Sequence, residues 1–225
     1  MRLEILMDVL RAPDRVLRGC HDERSTPRIA TTALVAIAAC GAVFGATVGA
    51  HRGGVQIVLA AVKMPLATLL ALALAGPILY SIAAAFERRW RLKTVLAVML
   101  CAGARASLVL LATAPGLLLL VSFGGGYFSV KLAAAAAYSL AGLSALMLLL
   151  RSLGPEPGRA TAAAIFVGLF AIAGGQSAWV LRPFIGDPRD KGVIVVATRK
   201  EGGLVGALAE AASSVVGGTQ SDERP

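Results

Sequence analysis

The sequence predicts an all-α integral membrane bundle of about five transmembrane helices, on three observations. First, its apolar runs are too long and too free of charge for a soluble core. The clearest, Ile29 to Ala50, is 22 residues without one Asp, Glu, Lys, Arg or His, and a run of that length matches a hydrocarbon core of about 30 Å at ~1.5 Å per residue. Second, the chain is 57% hydrophobic and only 16% charged, against about 25% charged for soluble proteins; its mean hydropathy is +0.75. Third, the net charge of +9 is concentrated in short loops between the apolar runs. Residues 1–28 carry six Lys and Arg against five Asp and Glu, and the segment from Arg182 onward carries six against six. That distribution belongs to membrane topology and to contact with anionic headgroups, and argues against a nucleic-acid groove.

The breaks between runs are too short to separate independent domains, so 225 residues give one membrane domain, 29–186, between an N-terminal segment, 1–28, and a tail, 187–225. Leu3, Leu6, Met7 and Leu10 recur at helical i, i+3, i+4, i+7 spacing, with Arg2, Glu4, Asp8 and Arg11 around the rest of the turn. Residues 2–12 therefore read as a short amphipathic helix, lying on the bilayer or packed on a neighbouring loop. The same charges break the apolar pattern of a secretory signal. A polar linker, Arg15 to Arg28, follows.

The first span, 29–50, carries Gly41, Gly45 and Gly49 at four-residue intervals, a helix-packing seam that lets another backbone approach closely. Its partner is a helix of the same chain or of a second copy. Val55 to Val62 ends at Lys63 and is too short to cross, so it reads as interfacial or re-entrant. The second span, 64–86, has Pro65 at its start and Pro77 inside it, where a kink is expected. The loop from Glu87 to Lys93 packs four basic residues around Trp90, the pattern of a cytoplasmic loop with an interfacial anchor. The third span, 94–121, has Arg105 at its middle and Pro115 near its far end. Gly124, Gly125 and Gly126 follow, flanked by aromatic residues but without a phosphate-loop pattern. The fourth span, 132–150, is lined by Ala134, Ala141, Gly142 and Ala145 as small packing residues; after a stiff connection the fifth occupies 160–181. In the tail, Val193 to Thr198 reads as a lone strand-like run and Leu204 to Val215 as a weak amphipathic helix.

With the N-terminus inside, the cytoplasmic segments of five spans hold six, four and two Lys and Arg, and the opposite segments two, one and six. The last figure belongs to the long tail, which counts for little, so the loops place the N-terminus in the cytoplasm and the C-terminus outside.

Arg105 is the residue most suggestive of chemistry, because a charge at the bilayer centre costs about 2.5–3.5 kcal/mol on insertion scales unless it faces protein or water. No Asp or Glu lies within any span. Its candidate partners are Gln176 and Ser177 of the fifth span, Ser107, Thr113, and backbone carbonyls freed at Pro77 or Pro115. A polar site of that kind suits an anionic substrate or a lipid headgroup; the competing reading is an arginine that snorkels to an interface. The missing intramembrane acid argues against an ordinary proton- or sodium-driven transporter. Cys20, Cys40 and Cys101 have no CxxC spacing and imply neither a disulfide framework nor zinc, and His21 and His51 lack metalloprotease spacing. Neither catalytic residues, nor a metal, nor a cofactor is predicted.

The most distinctive string closes the fifth span: Gln176, Ser177, Ala178, Trp179, Val180, Leu181, Arg182, Pro183, Phe184, Ile185, Gly186. Trp179 and Arg182 suit an interface, Pro183 stops the helix, and Gly186 to Pro188 turns the chain. The string, with Lys63-Met64-Pro65 and Gly76-Pro77-Ile78-Leu79-Tyr80, resembles a bacterial family of multi-pass membrane proteins that carries no assigned activity. Its general plan is similar to that of Yip-like five-span proteins. The resemblance spans about residues 55–205 and departs at Gly203 and Leu204, where the family continues Asn-Phe; it implies a membrane protein and transfers no catalytic residue. The expected function is a structural or interaction component of an inner- or plasma-membrane assembly. The alternative is a small transporter, channel or lipid-handling protein with a polar site around Arg105 and Gln176. Expected partners are the bilayer with its anionic headgroups and a membrane protein or second copy of the chain, with no nucleic acid.

Overall fold

The computed structural model describes residues 2–50, 54–85, 90–124 and 127–154, with isolated positions at 160, 161, 164, 165 and 168. Six helices occur among them: α1 (Arg2–Arg11), α2 (Pro13–His21), α3 (Thr26–Ala50), α4 (Val55–Ala85), α5 (Leu92–Ser122) and α6 (Tyr127–Leu153). The described residues contain no strand. Four helices are long and apolar enough to cross a membrane, over Thr26–Ala50, Val55–Ala85, Leu92–Ser122 and Ala133–Leu153. The predicted fifth span, the Trp179–Gly186 string and the tail elements lie outside the described residues, apart from the isolated positions near residue 160.

The lateral order is α4, α3, α5, α6, with α3 packed heavily on α4 and α5, and α5 on α6. Burial follows that order: 56% of the most apolar window of α5 is buried, 50% of α3, 28% of α6 and only 6% of α4. A helix surrounded on all sides needs small side chains, and α5 has them. Cys101, Ala102, Gly103 and Ala104 are four consecutive buried residues, and a Cβ on Gly103 would come within 2.5 Å of Leu72 on α4 and 3.0 Å of Ile37 on α3. Ile37 lies beside Gly103, and Phe44, two turns on, joins the cluster of Leu110 and Ala114. The helices α3 and α5 therefore run parallel, with the intervening α4 and the following α6 antiparallel to them.

The glycine seam of α3 faces α4 of the same chain. Gly41 lies against Pro65, Gly45 against Ala60 and Met64, and Gly49 against Gln56, Ile57 and Ala60. This contact corrects the expectation for Val55 to Val62, which forms no separate interfacial piece but the first two turns of one 31-residue helix, α4. Lys63 and Pro65 sit inside that helix rather than at its start. Pro65 is tolerated there because its ring packs on the open backbone at Gly41 and the lost hydrogen bond is a single one. Gly142, expected to line a packing face, instead has nothing within 4 Å of a Cβ built on it; Ala137, Ala141 and Ala145 form the buried face of α6. Gly124 and Gly154, with φ of 72° and 76°, take the left-handed conformation that ends α5 and α6.

The segment read as a polar linker contains α2. Pro13 opens it at the first turn, Asp14 complements its N-terminus and Arg18 and His21 its C-terminus, the charge placement a helix dipole favours. Val16, Leu17 and Cys20 are its buried face. Its last carbonyls are covered by the next helix: the Ser25 hydroxyl donates to the Gly19 oxygen at 2.6 Å, and that of Thr26 lies 3.1 Å from the Cys20 oxygen and 2.7 Å from that of Asp22. Helices α1 and α2 thus make a hairpin at the end of the bundle that also carries Trp90. Trp90, expected as an interfacial anchor, is 9% exposed and meets the His21 ring edge-on at 5.6 Å. Arg91 pairs with Glu23 beside it.

Candidate functional site

The polar centre of the described residues is Arg105, and its partners are not those the sequence suggested. The Nε group donates to the Ser144 hydroxyl of α6 at 2.8 Å, and Nη1 donates to the backbone oxygen of Val9 in α1 at 3.0 Å. Among the described residues no carboxylate pairs with it. Ser107, two residues on and so on the opposite side of α5, is buried, Thr113 donates to the Leu110 carbonyl, and Gln176 and Ser177 lie outside the described residues. A carbonyl freed by proline was indeed the target, but the proline is Pro13. The i+4 donor for the Val9 oxygen would be the N–H of residue 13, which proline lacks, and Ala12 before it is turned out of helix at φ −133°, ψ 59°. The Asp8 oxygen is still served, by the N–H of Ala12 at 2.9 Å. Val9 is left with an orphan acceptor at the negative end of α1, which a guanidinium satisfies both as donor and as charge.

The geometry makes Arg105 a clasp between three helices. Its Cα lies about 20 Å along α5 from Leu92, by rise per residue. A helical side chain leans toward its own N-terminus, so the guanidinium is carried back toward the end covered by the α1–α2 hairpin. There the hairpin presents exposed Arg11, Asp14, Arg15 and Arg18, and Arg15 bonds Asp8 at 2.9 Å across the two helices. The charge of Arg105 is thereby brought toward a polar layer supplied by the chain itself. Beneath the hairpin, Val9, Val16, Cys20, Cys101, Leu148, Leu149 and Leu153 close a single apolar cluster.

The same hairpin brings two thiols together. Cys20 of α2 and Cys101 of α5 are both buried with their Sγ atoms 3.9 Å apart, a proximity the lack of CxxC spacing concealed. The hydrogen bond to Cys101 holds the Cys20 thiol below its ordinary range, against the opposing effect of burial. Closing the gap to the ~2.05 Å of a disulfide is a small movement. Treatment with diamide, which takes up the two thiol hydrogens, is therefore expected to bridge Cys20 to Cys101 within one chain and leave Cys40 free, as read by peptide mapping. Bridging through Cys40 instead would contradict the docking of α2 on α5.

Among the described residues no group of three or more His, Cys, Asp and Glu side chains is placed to hold a metal ion. Of the remaining predicted site residues, Gly41, Gly45 and Gly49 lie in the α3–α4 contact, while Trp179, Arg182, Pro183, Phe184 and Gly186 lie outside the described residues. Comparison with protein-family models, with curated proteins and with solved structures finds no match for this chain.

Proposed function

We propose that the chain is a multi-pass inner- or plasma-membrane protein that serves as a structural or interaction component of a membrane assembly. Its N-terminus is cytoplasmic, and a fifth span at 160–181 carries the tail to the other side. One observation carries the reading: Arg105 gives its hydrogen bonds to the chain's own Ser144 and Val9, holding an N-terminal hairpin in place, where a transport site would direct them at a permeating solute. The hairpin, the residue 90–91 connection and Arg151 share one end, which holds most of the Lys and Arg found in short segments, as the positive-inside rule asks of a cytoplasmic face. Because Val55–Val62 is continuous with α4, it adds no crossing that would reverse the orientation. Membership of the bacterial family that the Trp179–Gly186 string resembles is part of the same proposal.

The test is native mass spectrometry of the protein released gently from its own membrane, beside ion and solute flux in reconstituted vesicles. A fixed stoichiometry with a second membrane protein, and no flux above empty vesicles, is the expected result. Flux that Arg105→Leu abolishes, from a protein that runs alone, would replace this reading with the transporter or channel.

A further inference from the structure

We propose that Arg105 and Arg151 together bind the phosphate of one anionic phospholipid on the outer face of α6. The proposal goes beyond the assembly role and stands whether or not that role is correct.

Arg105 uses Nε and one N–H of Nη1, so Nη2 and the second Nη1 hydrogen have no partner among the described residues. It is only partly buried. Ser144 and Arg151 are seven residues apart on α6, two turns along one face. The helices α5 and α6 are antiparallel, and each side chain leans toward its own N-terminus. Arg105 therefore leans toward the level of Arg151, and Arg151 toward the level of Ser144. The Arg105 guanidinium is held beside Ser144 by its 2.8 Å bond, and Arg151 starts two turns, ~11 Å, further along the same face of α6 and leans back toward it. Asp8, the acid next to Val9, is already paired with Arg15. Two cations that lean toward each other, with no carboxylate paired to either among the described residues, favour an anion, and the planar fork of arginine suits the oxygens of a phosphate.

The surroundings choose the source of that phosphate. Leu140, Met147 and Arg151 fall on one stripe of α6 with Ser144, and Leu143 borders it. Leu140, Leu143 and Met147 are 56%, 55% and 61% exposed, so the stripe is an apolar track that ends in two positive charges. An acyl chain on the track with its phosphodiester at the arginines matches it in both halves; a soluble phosphate matches only the charged half.

The full-length protein in nanodiscs of phosphatidylglycerol and phosphatidylcholine, analysed by native mass spectrometry, tests this. Wild type is expected to retain one phosphatidylglycerol in preference to phosphatidylcholine through the step that strips bulk lipid. Arg151→Gln changes an exposed side chain that makes no hydrogen bond among the described residues, and is expected to lower that retention about five- to tenfold. Arg151→Lys is expected to keep most of it, and Arg24→Gln, a charge removed from the α2–α3 turn, all of it. Equal retention of both lipids, unchanged retention in Arg151→Gln, or an equal fall in Arg24→Gln would overturn the site. Displacement of the lipid by millimolar inorganic phosphate would overturn the lipid assignment in favour of a soluble anion.

Discussion

Gly45→Leu is expected to abolish the folded bundle. A Cβ at this position would meet the carbonyl group of Ala60 closer than real Cβ atoms approach, and would lie 2.9 Å from Met64 Cγ, one turn further along α4. The obstacle is backbone, so relief requires that α3 and α4 separate along their shared seam. One methyl group forced into a packed site costs about 1–3 kcal/mol, and more where the structure cannot yield. Gly45→Ala is therefore expected to cost ~3 kcal/mol, and the three further carbons of leucine to push the loss past ~5 kcal/mol, the whole stability of a marginal domain. Gly49→Ala, whose Cβ would lie 2.7 Å from the Gln56 carbonyl, should resemble Gly45→Ala. Gly41→Ala meets Pro65 at 3.4 Å, ordinary contact, and should be nearly neutral. Gly142→Ala faces open space and should stabilise α6 by roughly 0.5–1 kcal/mol through helix propensity. Fluorescence-detected size exclusion over a temperature series ranks all of these. A Gly45→Leu protein that elutes and melts like wild type would remove the α3–α4 seam from the account.

Arg105→Leu is expected to release the N-terminal hairpin while the four long helices stay assembled. The substitution removes both hydrogen bonds and returns the Val9 carbonyl to the unsatisfied state that Pro13 created. Bonds made by a charged donor contribute about 1.5–3 kcal/mol each, and an orphaned buried acceptor costs ~1–3 kcal/mol. Against this, leucine is easier than arginine to hold at that depth, so the bundle itself loses little. Amide exchange across residues 2–21 should accelerate on the order of a hundredfold, since every ~1.4 kcal/mol is tenfold, with α3 and α5 unchanged. Ser144→Ala removes one partner and should give a partial acceleration; Arg105→Lys, with a single point charge for two divergent acceptors, should fall between. Uniform acceleration throughout the chain would mean that Arg105 holds the bundle rather than the hairpin.

The spans were legible where lipid is the solvent. Ile29–Ala50 announced itself by length, and Gly41, Gly45 and Gly49 by spacing, because both signals are local. The helix runs on through Lys63, because Lys63 and Pro65 are stop signals only on a free helix. Their tolerance depends on what lies opposite, and the open backbone at Gly41 is 24 positions away. The helix α2 was missed because Val16, Leu17 and Cys20 are too few to set a period, although Pro13, Asp14 and His21 marked its ends. The partners of Arg105 were out of reach for a related reason. Ser144 and Val9 are 39 and 96 residues from it, and periodicity carries no information at that distance. One cue was present: Pro13 four residues after Val9 identifies a carbonyl that no helical N–H can serve.

The α1–α2 hairpin is made first and completed last. The 96 residues between Val9 and Arg105 take roughly 5–20 s to translate, and the α6 residues that close the apolar cluster come later still. During that interval the buried face of α2 and the orphan carbonyl of α1 have no bundle to join. Leu3, Met7 and Leu10, 72%, 46% and 41% exposed in the finished fold, give α1 a second apolar face that can rest on the bilayer while the ribosome works. Such a parking face would let the earliest segment wait at the membrane surface until α5 and α6 arrive, and slowing elongation should leave more chains caught at that stage.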